Sequence, residues 1–360
     1  MDNQELTQKL NQLNNENENT ESSQSSRVLL LIFDAIENFE YKYYKIAGCL
    51  YVIIVSAVLT FILTMRDKHF STLPNLELIF ISVLLMFCAN FKMISQSNIL
   101  PYIQENGLNW KVKHASLSLI IALVLLICSL KQNDRFVSVF FFVSVWPLNY
   151  VYENLRYKQE LRKELLLPFC GIFIGAAFST ETLQKLASNP EVLQLNGIIY
   201  SIVGGLFLCY SADCFKKVDS ENLFTITHVI GLMTVIFVPL FFPIEGLLQP
   251  GLKEWIFFAI VGALLIVGLP IMIRTFAIET ATITLAQLGW CFPFYIFFKF
   301  LFGLQIPSFG QLCGIGVQSL CSILIIKYLN QQENKTQKLL KKGSSEANKV
   351  VELQTLTQQA

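Results

Sequence analysis

Charge is scarce in this chain. Of its 360 residues only 15% are Asp, Glu, Lys or Arg, while 53% are hydrophobic and 30 are phenylalanine. A soluble domain carries roughly 25% charged residues, so the sequence reads as an all-α, multi-pass membrane protein. The formal net charge of +1 lacks the clustered basic face that nucleic acid requires. Paired cysteine motifs are also missing. The nine cysteines lie in or beside apolar runs without a CxxC pair, so they are read as small hydrophobes rather than a disulfide scaffold or a metal site. The three histidines, His69, His114 and His228, are isolated, and no HExxH or GxxxxGK occurs. Metal chemistry and ATP hydrolysis are therefore not expected, and no cofactor is implied. An intramembrane enzyme would need His, Asp or Glu clustered at depth for acid–base work, which the spans do not offer, so the chain is not read as an enzyme.

What is present is a long series of apolar runs. A helix needs about 20 mostly apolar residues to cross a bilayer. Ten candidate spans meet that requirement, near 45–64, 74–94, 113–130, 136–155, 165–182, 194–213, 223–243, 253–273, 277–300 and 307–329. Residues 1–26, rich in Asn, Gln, Glu and Ser, read as a disordered tail with no basic-then-apolar leader. Residues 27–44 have the spacing of an amphipathic helix at the membrane surface, or equally of an extension of the first span. Residues 330–360 read as a second disordered tail. An even span number puts both termini on one side. Placing them in the cytoplasm sets most of the 27 Lys and Arg inside. Plasma membrane and internal membranes both remain open.

Two spans carry a proline among aromatic and amide residues: VSVWPLNYVYENL from Val143 and LGWCFPFYIFFKF from Leu288. Each is followed by a loop and then a glycine-bearing span. Residues 45–182 and 183–329 thus form two five-span halves of opposite orientation, the inverted-repeat plan that places a binding site between the halves. Pro147 and Pro293 each free a carbonyl one turn earlier, giving a hinge or a static kink.

On the later of these spans Thr280, Thr284, Gln287 and Cys291 share a helical face, with Trp290 and Tyr295 available to stack on a ring. On the earlier span the matching set is Trp146, Asn149, Tyr150 and Glu153; Asn149 and Glu153 share a face one turn apart, with Glu153 read as a solvated helix end near the inner interface and Asn149 as the deeper residue. Polar residues in spans either line a cavity or bond neighbouring helices. Lys299 is placed to snorkel to the interface or to attract an anion. His228 is placed to couple transport to protons or simply to be hydrogen-bonded. Gly171-x3-Gly175 and Gly310-x3-Gly314 permit close helix approach, within the chain or at a homodimer contact.

Ala281-Thr282, Gln287 with Pro293, the run Phe302-Gly303-Leu304-Gln305-Ile306-Pro307-Ser308, Gln311 and Gly314, matched in the first half by Pro147, Glu160 and Gly171, make the chain resemble the drug/metabolite transporter superfamily. The likeness is to its ten-span EamA-type and nucleotide-sugar-transporter-like members. Gln305 stands where the family usually has a glutamate. The resemblance implies a secondary transporter or exchanger of a small organic metabolite, with its site between the fourth and ninth spans and the lipid bilayer as surroundings. Carriage of a nucleotide sugar, or a non-transporting scaffold or receptor, are the alternatives.

Overall fold

A computed structural model describes residues 44–96, 110–157, 163–181, 194–216, 223–278, 281–304 and 306–331. The expectations for both tails and for the amphipathic stretch up to residue 43 lie outside these residues, as do those for Thr280, Glu160 and Gln305. Contacts divide the chain into residues 1–47 and 48–360. The smaller unit contributes only the start of the first helix to the described residues, and the contacts below all belong to the larger.

The described residues are helical, without a strand. The helices are α1 (Tyr44–His69), α2 (Asn75–Gln96), α3 (Trp110–Gln132), α4 (Arg135–Val143), α5 (Trp146–Tyr157), α6 (Lys163–Ser179), α7 (Leu195–Phe215), α8 (Leu223–Phe237), the four-residue α9 (Phe242–Glu245), α10 (Leu252–Ile278), α11 (Ala281–Leu288), α12 (Cys291–Leu301) and α13 (Phe309–Gln331). Eight segments are long and apolar enough to cross a membrane, α4–α5 and α11–α12 each counting as one. Two further apolar helices, Asn75–Phe91 and Glu164–Ser179, are shorter. The protein is an all-α, integral membrane protein in architecture.

Apolar helices carry few polar side chains, and most of these answer to nearby backbone. The hydroxyls of Thr60, Thr64, Ser116, Thr234 and Thr275 each donate to the carbonyl four residues back, at 2.7–2.9 Å. This internal bonding lets a hydroxyl sit in an apolar helix at little cost. Between helices, Ser129 accepts from Ser201 at 2.7 Å and donates to Ser138 at 2.8 Å, tying α3, α7 and α4 together. Gly205 in α7 lies so close to α4 that an added Cβ would collide with the Phe142 carbonyl.

One end of the bundle is stitched by polar contacts between the helix connections. The carboxylate of Glu245 accepts from the Leu76 N–H at 2.7 Å and the Asn75 amide at 2.8 Å. Glu77, buried, accepts from the Leu248 N–H at 2.8 Å. Asn133 exchanges two hydrogen bonds with the backbone of Gln194. Lys131 donates to the Ile244 carbonyl, and Lys68 to the Phe302 carbonyl at 3.1 Å. Ser308 donates to Glu181 at 2.8 Å. These contacts bring the α1–α2, α3–α4, α6–α7, α9–α10 and α12–α13 connections to the same end. The apolar segments joined by each of these connections therefore run in opposite directions.

Candidate functional site

The two proline-bearing segments are not kinked helices but broken ones. Asp134 caps α4, its carboxylate accepting the Phe136 N–H at 2.9 Å. The helix then ends at Val143, with the Ser144 hydroxyl turned back on the Phe140 carbonyl at 2.5 Å. After a two-residue turn α5 begins at Trp146, with Pro147 in its first turn, where a missing N–H costs nothing. The later segment repeats the pattern. Turn residues Gly289 and Trp290 separate α11 from α12, and Pro293 again sits in the first turn. The expected continuous face Thr284–Gln287–Cys291 is therefore interrupted. The physical reason is that a proline ring cannot accept the helical path of the preceding turn, and here the chain yields by breaking rather than bending. The carbonyl of Gly289, four residues before Pro293, accepts from the Phe292 N–H at 3.1 Å and from the Gln318 side-chain amide of α13 at 3.2 Å.

The broken helices lie antiparallel and in contact. At one end Phe136, at the start of α4, meets Tyr295 of α12 edge-on at 4.9 Å. At the other end Asn149 of α5 donates to the Thr282 hydroxyl of α11 at 3.0 Å, and that hydroxyl donates to Glu153 at 2.7 Å. Between them the two breaks face one cleft, lined by Val143, Ser144 and Trp146 from the first and Ala286 and Gly289 from the second, with Ile172, Phe173 and Ala176 of α6. Its volume is about 10 Å³, room for about one water.

Gln287 sits at the second break, wholly buried. Its carbonyl accepts from the Trp290 indole at 3.2 Å, while its NH2 group has no hydrogen-bond partner. The Ser56 hydroxyl of α1, also buried, faces the Cys291 thiol. Buried polar groups without partners are rare and costly, about 1–3 kcal/mol each.

The remaining expected residues fall in three places. Trp146, Asn149, Tyr150 and Thr284 are buried around the breaks, Trp146 and Tyr150 both packing on Phe169 at 5.0 and 5.8 Å. Trp290 packs on Phe294 at 5.7 Å. Tyr295 points away to the end of the bundle, where its hydroxyl donates to Asp67 at 2.8 Å. Lys299 lies over the Tyr295 and Phe136 rings, 4.8 and 5.5 Å from their centres. His228 is remote from both breaks in its contacts, stacked on Phe87 of α2 at 4.4 Å with its Nδ1 unpartnered. Gly171, Gly175 and Gly314 hold α6 against α13. A Cβ on Gly175 would lie 2.6 Å from Gln318 Cγ and 2.8 Å from the Gly314 carbonyl, while one on Gly171 would strike the Cys321 sulfur. Gly310 is not at that crossing, since its nearest neighbour would be Ser308 Oγ at 3.9 Å.

Sequence reasoning missed the charged cluster at the Tyr295 end. Asp67 of α1 pairs with Arg135 of α4 and, at 3.8 Å, with Arg66. Arg66 in turn donates twice to the Leu73 carbonyl, at 3.0 and 2.5 Å. It also missed Ser56 and Gln318, and gave Glu153 and Thr282 no place in the site. Asp67 and Arg135 sit at the limits of apolar runs, where charge is expected anyway, and only their proximity in space distinguishes them.

No family model matches the chain, and no curated protein matches it. Twenty-two solved chains match it in structure. One, described only as "Crystal structure of protein", superimposes with a TM-score of 0.58 at 14% identity, covering 77% of this chain and 95% of its own. That likeness bears on fold alone.

Proposed function

We propose that the protein is a secondary transporter or exchanger that moves a small organic solute, neutral or zwitterionic, by alternating access. In this reading α1 to α13 make ten spans, grouped as two inverted five-span repeats in which α4–α5 and α11–α12 correspond. The observation that carries it is the pairing of these broken helices: antiparallel, breaks facing each other, and joined by polar contacts at both ends. Discontinuous helices that meet inside a bundle are where transporters of the inverted-repeat type bind solute. The resemblance of Gln287, Pro293 and the Phe302–Ser308 run to drug/metabolite transporters supports the same reading.

The unpartnered Gln287 NH2 supplies a donor for a polar solute group. The cleft is closed to about one water, so solute entry requires that one end of the pair open. Among the described residues no charged side chain lines the cleft, which favours a solute without net charge. A nucleotide-sugar antiporter is the second reading. It is favoured by the local cluster of Arg66, Arg135 and Lys299 around Asp67 and Tyr295, a potential attractor for phosphates.

Counterflow in proteoliposomes, with a mixed panel of labelled amino acids and nucleotide sugars, tests the proposal. Flux of one class, abolished in Gln287→Leu while the protein remains folded, is the expected result. Absence of flux for every class with folded protein removes support from transport and favours a scaffold.

A further inference from the structure

We infer that Glu153 is a proton-binding site that releases the α5–α11 contact, so that protons and solute move in coupled steps; this rests on the alternating-access reading above. Glu153 belongs to an apolar span-length segment, Arg135–Leu155. Its carboxylate does not lie idle at a solvated helix end. It accepts from the Thr282 hydroxyl at 2.7 Å, and the Thr282 backbone N–H is directed at it as well. Through Thr282 it also fixes Asn149, which is buried. One carboxylate thereby holds the contact between the two broken helices at this end.

Among the described residues few titratable or polar groups face it. From α7 come Asp213, itself buried, the Cys209 thiol, also buried, and Lys216, exposed at the helix C-cap. From α11 comes Thr282. Among the described residues no cation closes an ion pair with Glu153, so its negative charge is held by hydrogen bonds and opposed by Asp213. The contrast with Asp67 is direct. Asp67 is paired with a guanidinium, which stays charged across the accessible pH range. A proton reaching Glu153 from water on the Lys216 side forms an O–H bond on the carboxylate and cancels its charge. It turns a charge-assisted hydrogen bond from Thr282 into a neutral one of roughly half the strength. It also ends the like-charge contact with Asp213. Intramembrane carboxylates with a defined hydrogen-bond partner are the usual carriers of such steps.

The test uses full-length protein in lipid nanodiscs and hydrogen–deuterium exchange of peptides covering 146–157 and 281–288, corrected for the intrinsic effect of pH on exchange. Lowering the pH from about 8 to about 5, the range over which native proteins are ordinarily stable, is expected to speed exchange in both peptides about tenfold. Glu153→Gln is expected to exchange fast at both pH values and to lose the response, Glu153→Asp to retain one, and Asp67→Asn to leave the response at this end intact. Thr282→Val, which keeps the carboxylate but removes the hydroxyl it holds, is expected to exchange fast at both pH values. It serves if Glu153→Gln fails to fold. Equal exchange in the wild type at both pH values, or a response that survives in Glu153→Gln or Thr282→Val, overturns the inference. Failure of the transport reading shows up separately, as absent counterflow with this pH response intact.

Discussion

The two ends of the broken-helix pair are closed by different chemistry. At the Tyr295 end a carboxylate, Asp67, is gripped by Arg135 and a tyrosine hydroxyl, with Arg66 and Lys299 adding positive charge. At the Glu153 end a carboxylate is held by a threonine and bridged to an asparagine, with no ion pair among the described residues. The first closure is ionic. The second is built of hydrogen bonds to a group that takes up a proton. A pair of helices joined in two such ways can open one end without opening the other, and that independence is what alternating access needs.

The largest effect should come from breaking the ionic end on one side only. Asp67→Ala leaves two arginines facing each other without their carboxylate, and a loss of about 3 kcal/mol in unfolding stability is expected. The double variant Asp67→Ala/Arg135→Ala should lose less than the two single losses combined, read from thermal unfolding in detergent. Additive losses would mean that the two side chains do not act as a pair. At the other end Thr282→Val removes a hydrogen bond to a charged acceptor and orphans Asn149. About 2 kcal/mol is expected, with faster exchange confined to α5 and α11. Exchange that rises equally at both ends would show that the ends are not independent.

Between the ends, Gly175→Ala pushes a methyl into the Gln318 side chain and the Gly314 carbonyl. Overpacking of about 1–3 kcal/mol is expected, together with loss of counterflow, because the wall behind the cleft is displaced. The smallest effect is expected from His228→Phe. The aromatic stack on Phe87 is kept and an unpartnered nitrogen is removed, so stability should change by less than about 0.5 kcal/mol and pH dependence should not change. A pH response that disappears in His228→Phe would move the titrating group from Glu153 to the seventh apolar run.

Much of this was legible beforehand. Apolar run length located the helices, because the need to satisfy backbone groups in lipid leaves few alternatives. Pro147 and Pro293 mark the two special segments in the sequence, and Asn149, Gln287 and Trp146 lie beside them. Whether a proline would bend or break its helix was not legible, because that depends on partners for the freed carbonyl, such as Gln318 for Gly289. Tyr295 reads in sequence as a residue to stack on a ring, yet in space its hydroxyl partner is a carboxylate at the bundle end. The glycine spacing at 171 and 175 signalled close approach. That the approach is to Gly314 and Cys321 of the same chain is a matter of tertiary placement alone.

The central claim is that the two ends open in alternation. It is tested most directly by pulsed dipolar spectroscopy in nanodiscs, on a variant lacking the nine native cysteines. One spin-label pair would report on the ionic end, at Asp134 and Leu304, and another on the hydrogen-bonded end, at Leu155 and Ile278. Asp67→Asn should lengthen the first distance and leave the second short, and Thr282→Val should do the reverse. A single short distance at both ends in every variant, or both ends lengthening together, would contradict the account.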